Sequence, residues 1–327
     1  MIARQRTALT VATLMALLVA FAPWIAPYDP ARQFSTHPFA PPMRPHVIDE
    51  RGRVHAPFVY AVRLVDPLER RFVEDRTRVI PLRWLAGTLV RADGREPWFP
   101  LGSDALGRDV FSRVVLGARL SLGVALLAAA ISLAIGALTG ALAGYAGGWA
   151  DSALMQLANL VLVLPGIYVV LALRGALPLV LTPPQVFTAL VLVLGLVGWP
   201  SAARGVRGIF IVERTQEYAE AARAAGAGPM RVIARHLLPA SLGFLAVQAT
   251  VLVPAFVMAE ATLSYVGLGF APPTPSWGAM LQDAGAARGG ADAPWLLAPA
   301  GAIVLAVLTM QLASRDGDPL LWPGWKR

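Results

Sequence analysis

Ser121 to Tyr145 reads SLGVALLAAAISLAIGALTGALAGY, a run without a single charged residue. A helix of roughly 20 apolar residues crosses the hydrocarbon core of a bilayer. Unalternating runs of this length fit helices better than membrane strands, which need only about ten residues with period-two alternation. Five further stretches have similar character: Ala8 to Pro27, Ala153 to Leu173 with Pro165 inside, Gln185 to Ala203, Leu242 to Leu268 with Pro254 inside, and Pro294 to Ala313. The chain therefore reads as an all-α integral membrane protein with six transmembrane helices. Its composition agrees: 56% hydrophobic residues and a mean hydropathy of +0.59 exceed what a soluble protein of 327 residues carries.

The net charge is +8, nearly all of it from arginine, and Lys326 is the one lysine. These arginines flank apolar runs, which points to topology and lipid headgroups and away from nucleic acid. Residues 204–235 carry Arg204, Arg207, Arg214, Arg223, Arg231 and Arg235, so this loop is expected in the cytoplasm. Counting spans outward puts both termini there, with Arg4 and Arg6 at one end and Lys326-Arg327 at the other. The first run is long for a signal peptide core and no small-x-small cleavage site precedes Tyr28, so it reads as a retained span.

Four segments follow from this. Residues 1–28 hold the first span. Residues 29–120 form an extracytoplasmic region ending in a pre-span helix. Residues 121–315 form a five-helix core with a loop at 204–239, and 316–327 a cytoplasmic tail. The outer region is proline-rich. Val54 to Arg63 and Arg70 to Leu85 have strand or amphipathic character, compatible with a small subdomain or with a draped loop.

Catalytic chemistry finds little support. A GxxxxGK[ST] phosphate loop needs a lysine, and Lys326 lies two residues from the end. HExxH is absent, as is cysteine, so neither a zinc-thiolate site nor a Cys nucleophile exists. No catalytic, metal or cofactor residue is expected. Inside the spans, Glu260 is the principal charge, Arg174 closes the third run, and Gln248 and Ser264 add polar groups. Gln248, Glu260 and Ser264 are candidates for a translocation path. Gly136, Gly140 and Gly144 form a small-residue face suited to close helix packing.

The stretch Glu217 to Ser241, EYAEAARAAGAGPMRVIARHLLPAS, sits between two spans where a five-residue loop would do. Glu217, Glu220 and Arg223 place charges to suit a helix dipole, and Glu220 can pair with Arg223. Ala221, Ala222 and Ala225 leave one side bare. Gly226 and Gly228 allow a reversal, Pro229 suits the first turn of a second helix, and Met230, Ile233, Leu237 and Leu238 give it an apolar stripe that Pro239 is expected to end. This is either a rigid projecting knuckle or an amphipathic loop lying at the membrane surface.

EAARAAG, Glu220 to Gly226, followed by RHLLP, Arg235 to Pro239, resembles the EAA loop of ABC importer permeases. That pattern has EAA, three residues, Gly, nine residues, a hydrophobic residue, one residue, then Leu-Pro. His236 stands at the hydrophobic position, as in the dipeptide/oligopeptide branch of the binding-protein-dependent transport inner membrane component family. LGSDALGRDVFSRVVLGARLSL (Leu101 to Leu122), AGYAGGWAD (Ala143 to Asp151) and AEATLSYVGLGFAPPTPSWGAML (Ala259 to Leu281) are similar to further segments of that branch, in order. The resemblance implies the type I ABC importer permease fold in a bacterial cytoplasmic membrane. It implies a second homologous permease, two cytoplasmic ATPase subunits carrying ATP and magnesium, an extracytoplasmic solute-binding protein, and surrounding lipid. It assigns ATPase coupling to Glu217, Tyr218, Glu220, Ala221, Ala222, Arg223, Gly226, Ala227, Pro229, His236 and Pro239. An ion-coupled secondary transporter and a membrane enzyme are the alternatives; the first needs a buried ionisable relay and the second a catalytic constellation, and neither is evident.

Overall fold

The computed structural model of the chain describes residues 17, 19–49, 52–66, 70–84, 88–92, 96–163, 168, 172, 175, 178, 181–286 and 292–315. These fall into two compact units. One holds Val124–Ala259 and the described residues after 306. The other holds the described residues up to Gly123 together with Glu260–Ala306.

The second unit contains what the reading of an all-α chain missed. Strands β1 (His46–Ile48), β2 (Val54–Asp66), β3 (Arg71–Trp84) and β4 (Val90–Ala92) form one antiparallel meander in the order β1-β2-β3-β4. β-branched and aromatic residues favour a pleated, half-buried surface, and Phe58, Val59, Tyr60 and Val62 fill the middle of β2. Ile80 and Leu82 alternate with exposed neighbours along β3, the period of two that a sheet needs. Val59, Ala61, Ile80, Leu82, Ala92, Trp98 and Phe99 form one buried cluster. The region is a folded subdomain and not a draped loop. Its register slips between Tyr60, opposite Val79, and Ala61, opposite Asp75, so the hydrophobic alternation breaks there.

The helices are α1 (Val110–Ala146), α2 (Gly148–Val163), α3 (Pro183–Glu213), α4 (Glu217–Ala224), α5 (Pro229–Val232), α6 (Leu238–Tyr265), α7 (Trp277–Ala286) and α8 (Ala298–Arg315). Among the described residues, four are long and apolar enough to cross a membrane: Val110–Ala146, Pro183–Glu213, Pro229–Tyr265 and Pro294–Leu312. Residue 17 and residues 19–25 of the first expected span are helical. The third is described as helix to Val163, while Pro165 and Arg174 lie outside the described residues, as do Arg4, Arg6 and Lys326.

Two helices outrun the spans assigned to them. α1 starts eleven residues before Ser121, and at 1.5 Å per residue its 37 residues reach about 55 Å, well beyond a bilayer core of about 30 Å. α3 continues ten residues past Ala203. Hydropathy marks where a helix meets water, not where its hydrogen bonds end. The glycines of α1 set its distance from α3. A Cβ on Gly136 would meet Ala202 Cβ at 2.5 Å, one on Gly140 the Ala203 carbonyl oxygen at 2.4 Å, and one on Gly144 Phe210 Cβ at 2.6 Å. The small-residue face is thus filled by the backbone and the Cβ atoms of α3.

Candidate functional site

The stretch after α3 folds back on itself through local chemistry. Helix α4 opens with Glu217 and Glu220 in its first turn and carries Arg223 in its last. It ends in a double hydrogen bond: the Ala227 N–H donates to the Ala222 carbonyl at 3.0 Å and the Gly226 N–H to the Arg223 carbonyl at 2.9 Å. This is the Schellman arrangement, which demands a left-handed residue. Gly226 supplies it at φ +82°. Nothing lies within 4 Å of where its Cβ would be, so conformation alone sets the requirement for glycine there. Gly228, by contrast, has φ −66° and serves as N-cap to α5, with Pro229 in the first turn.

Pro239 does not end the second helix. Residues Ile233–Leu237 form a π-turn that leads directly into α6. Proline lacks an N–H for the carbonyl four residues back, and a widened turn lets a helix pass that gap without breaking. Val232 and Leu237, five residues apart, are both buried as a result.

The knuckle is seated on the first unit's own helices. Ala219, Val232 and Leu237 share a buried cluster with Ala141 of α1 and with Val206 and Phe210 of α3. Ala222 and Ala227 pack against this cluster, so Ala222 faces the chain's own core. Glu217, Glu220, Ala221, Arg223 and Ala225 are exposed. Tyr218 donates its hydroxyl to the buried Glu213 carboxylate and lies 6.2 Å, ring to ring, from His236. Burial, followed by the Glu213 carboxylate, holds the Tyr218 phenol above its ordinary range. The expected Glu220–Arg223 pair is not what forms. Arg223 Nε donates to the Ala219 carbonyl at 3.2 Å, and its Nη2 donates to the carbonyl of Arg214.

Arg214 was not among the expected residues. It follows α3 as its C-cap, and its guanidinium donates to the carbonyls of Gly144 and Tyr145, both at 3.1 Å. Arg207 forms a bidentate pair with Asp151 at the start of α2, and Arg204 reaches Asn159 of α2 at 2.5 Å. The Arg207 hydrogen bond holds the Asp151 carboxyl below its usual range. No sequence spacing links these groups, since their partners lie 45 to 70 positions away.

The path candidates are divided between the units. Gln248, in the first, donates to the Ser201 hydroxyl at 2.9 Å. Glu260 and Ser264, in the second, are fully buried, and the Ser264 hydroxyl donates to Glu260 at 2.7 Å. Glycines let the chain close over them: a Cβ on Gly278 would lie 2.2 Å from the Ala261 carbonyl oxygen, and one on Gly269 2.1 Å from Ser264 Oγ.

The second unit also buries an ion cluster. Asp104 accepts from Arg108 Nε at 2.6 Å and from Arg113 Nη1 at 2.7 Å, and both arginines reach Asp283 of α7 at 3.0 and 3.3 Å. Asp109 caps α1 through the Ser112 N–H at 2.8 Å, and burial pushes its carboxyl up to about 7.

Comparison with known proteins gives these features a context. Residues 136–314 match the family model described as binding-protein-dependent transport system inner membrane component. The chain belongs to this family. Residues 6–42 match a second model, the N-terminal transmembrane domain of oligopeptide transport permease C. A putative peptide permease protein of Brucella ovis is 39% identical over 214 residues, 65% of this chain and 68% of that one. The glutathione transport system permease protein GsiD of Shigella flexneri is 39% identical over 216 residues, covering 66% and 68%. A solved structure of the MetNI methionine ABC transporter aligns with 64% of the chain and 94% of its own at 22% identity and a TM-score of 0.48, too slight a likeness to argue from. As a member of the family, this permease is the non-catalytic inner-membrane subunit of an ATP-driven importer. ATP is hydrolysed on a separate subunit, and a binding protein and a second permease complete the assembly.

Proposed function

We propose that this permease imports peptides or related small solutes, with the knuckle at 217–239 as the site where ATPase subunits dock. The observation that carries this reading is the α4 reversal, in which an EAA segment ends in a Schellman cap at Gly226, seated on α1 and α3, with Glu217, Glu220 and Ala221 facing outward. A short helix held on both sides is a lever and not a tether. Glu217 and Glu220 face the ATPase, Ala221 permits close approach, and Tyr218, Ala222, Ala227, His236 and Pro239 fix the lever's angle. The names of the relatives support a peptide-type solute.

The finer architecture follows the family: six spans, both termini and the knuckle in the cytoplasm, a core at 121–315, two ATPases and two permeases. The sheet at 46–92 then lies on the side of the solute-binding protein. Alternating access by rigid-body movement would carry the solute, with Gln248 as the candidate path residue and Glu260 and Ser264 as the clasp of the loop after α6.

Tagged protein purified in mild detergent with the products of its neighbouring genes tests the docking site. ATPase subunits should accompany the wild type and be lost with Gly226→Trp, which forces a bulky L-residue into a left-handed position. Retention of full ATPase association and transport by that variant would remove the knuckle from the mechanism.

A further inference from the structure

Helices α1 and α3 share a deficiency: neither has a basic residue in its last turn. The final carbonyls of a helix lack partners within it and carry partial negative charge, so a cation there is stabilising. In both cases the missing cation comes from beyond the helix, from the C-cap of α3 for α1 and from α4 for α3. Arg214, just beyond α3, donates to Gly144 and Tyr145 in the last turn of α1. Arg223, in the last turn of α4, donates to the carbonyl of Arg214, the C-cap of α3. One residue thus takes part in both links, its main chain receiving from the knuckle and its side chain giving to α1.

The geometry points to Arg214 as the positioning residue that transmits displacement of the knuckle to the inner end of α1. The knuckle's apolar cluster touches α1 at Ala141, but that contact is non-directional and tolerates sliding. The two caps are directional. Both Arg214 hydrogen bonds leave one nitrogen, Nη1, which straddles the two adjacent carbonyls and holds the end of α1 at a set distance. The turn that follows is built for a fixed end: Gly147 and Gly148 sit at φ +66° and +57°, and the Asp151 carboxylate just beyond is held by Arg207 of α3. Arg214 is half-buried and contributes nothing to the exposed surface of α4, so its role is separable from docking.

This inference rests on the proposed docking of an ATPase at the knuckle. Its test is the complete transporter in proteoliposomes, measuring solute uptake, ATP hydrolysis and ATPase co-purification for Arg214→Gln, Arg214→Lys, Arg223→Gln and the double glutamine variant. The expected result is that ATPase subunits co-purify with both Arg214 single variants, while solute moved per ATP falls about tenfold in both single glutamine variants, within the range of ordinary coupling energies. Arg214→Lys, which keeps a charged nitrogen donor on a shorter side chain, should recover part of the loss. Because the links are in series, the double variant should lose no more than either single one, whereas two independent structural defects would add. An unchanged uptake ratio in Arg214→Gln and Arg214→Lys overturns the relay, as does loss of ATPase co-purification in those variants, which would make Arg214 part of the docking surface. If even the wild type brings down no ATPase, the docking proposal itself has failed.

Discussion

Two pairs of arginines, one in each unit, are used in two different ways. Arg108 and Arg113 are 4% and 1% exposed and are bound to carboxylates, Asp104 between them and Asp283 across from both. Arg214 and Arg223 are half-buried or exposed and are bound to main-chain carbonyls at the ends of helices. The difference lies in what is left behind when the bond opens. Separating a buried guanidinium from its carboxylate strands a charge away from water, so the first arrangement acts as a weld. A carbonyl at a helix end is a neutral dipole, so opening the second leaves no opposite charge stranded and costs less. A transporter needs both: a fixed frame, and a joint that transmits without locking.

The contrast can be broken by experiment. Arg113→Ala leaves Asp104 facing a single arginine in a buried site. It should destabilise the detergent-purified permease by about 3–5 kcal/mol, read as a lowered thermal midpoint. A midpoint near that of the wild type would mean that water enters the cluster and the weld is no such thing. Asp109 sharpens the same side of the comparison. Burial raises its carboxyl to about 7 in the folded state against an ordinary 3.8, so the folded chain holds a proton that the unfolded chain releases. Its contribution is present at low pH and is lost as pH rises from about 4 through about 7. The thermal midpoint should decline across that window, and Asp109→Asn, which keeps the N-cap acceptor, should flatten the decline. The smallest effect belongs to the joint. Arg223→Gln should change thermal stability by about 1 kcal/mol or less, the scale of a single charge at a helix terminus, even though uptake per ATP falls. A large drop in stability would put Arg223 among the welds.

What the sequence disclosed and what it hid follow the range of the interactions involved. The knuckle was legible because its signals are local: Gly226 and Gly228 for a reversal, Pro229 for a first turn, acidic residues early and Arg223 late, though only Gly226 is left-handed. Pro239 misled, since a proline near a basic apolar stripe resembles a stop, and only the π-turn before it shows how the helix continues. The reading of Arg223 failed in an instructive way. Glu220 is the partner that helical spacing offers, but the Arg214 carbonyl, nine positions back, is the one that three-dimensional proximity provides. The sheet was half legible. Ile80 and Leu82 alternate correctly, but the slip opposite Tyr60 and the charged residues of β3 interrupt the pattern before it declares itself. Arg214 had no signal at all, because its partners lie about 70 residues away. The long apolar runs announced spans and a pre-span helix was expected before Ser121, but hydropathy could not show that its eleven residues are one helix with the span, where a polar cap and buried ions replace lipid as the reason to be helical.

The π-turn at Ile233–Leu237 has a consequence for how this chain tolerates change in length. A regular helix advances about 100° per residue. The extra residue in that turn therefore acts as a phase offset, setting the azimuth of everything from Pro229 to Val232 relative to the barrel of α6. Removing one residue there would shorten the chain by very little, yet it would turn the knuckle through more than a quarter of a circle about the helix axis. For this segment, an indel is a rotation.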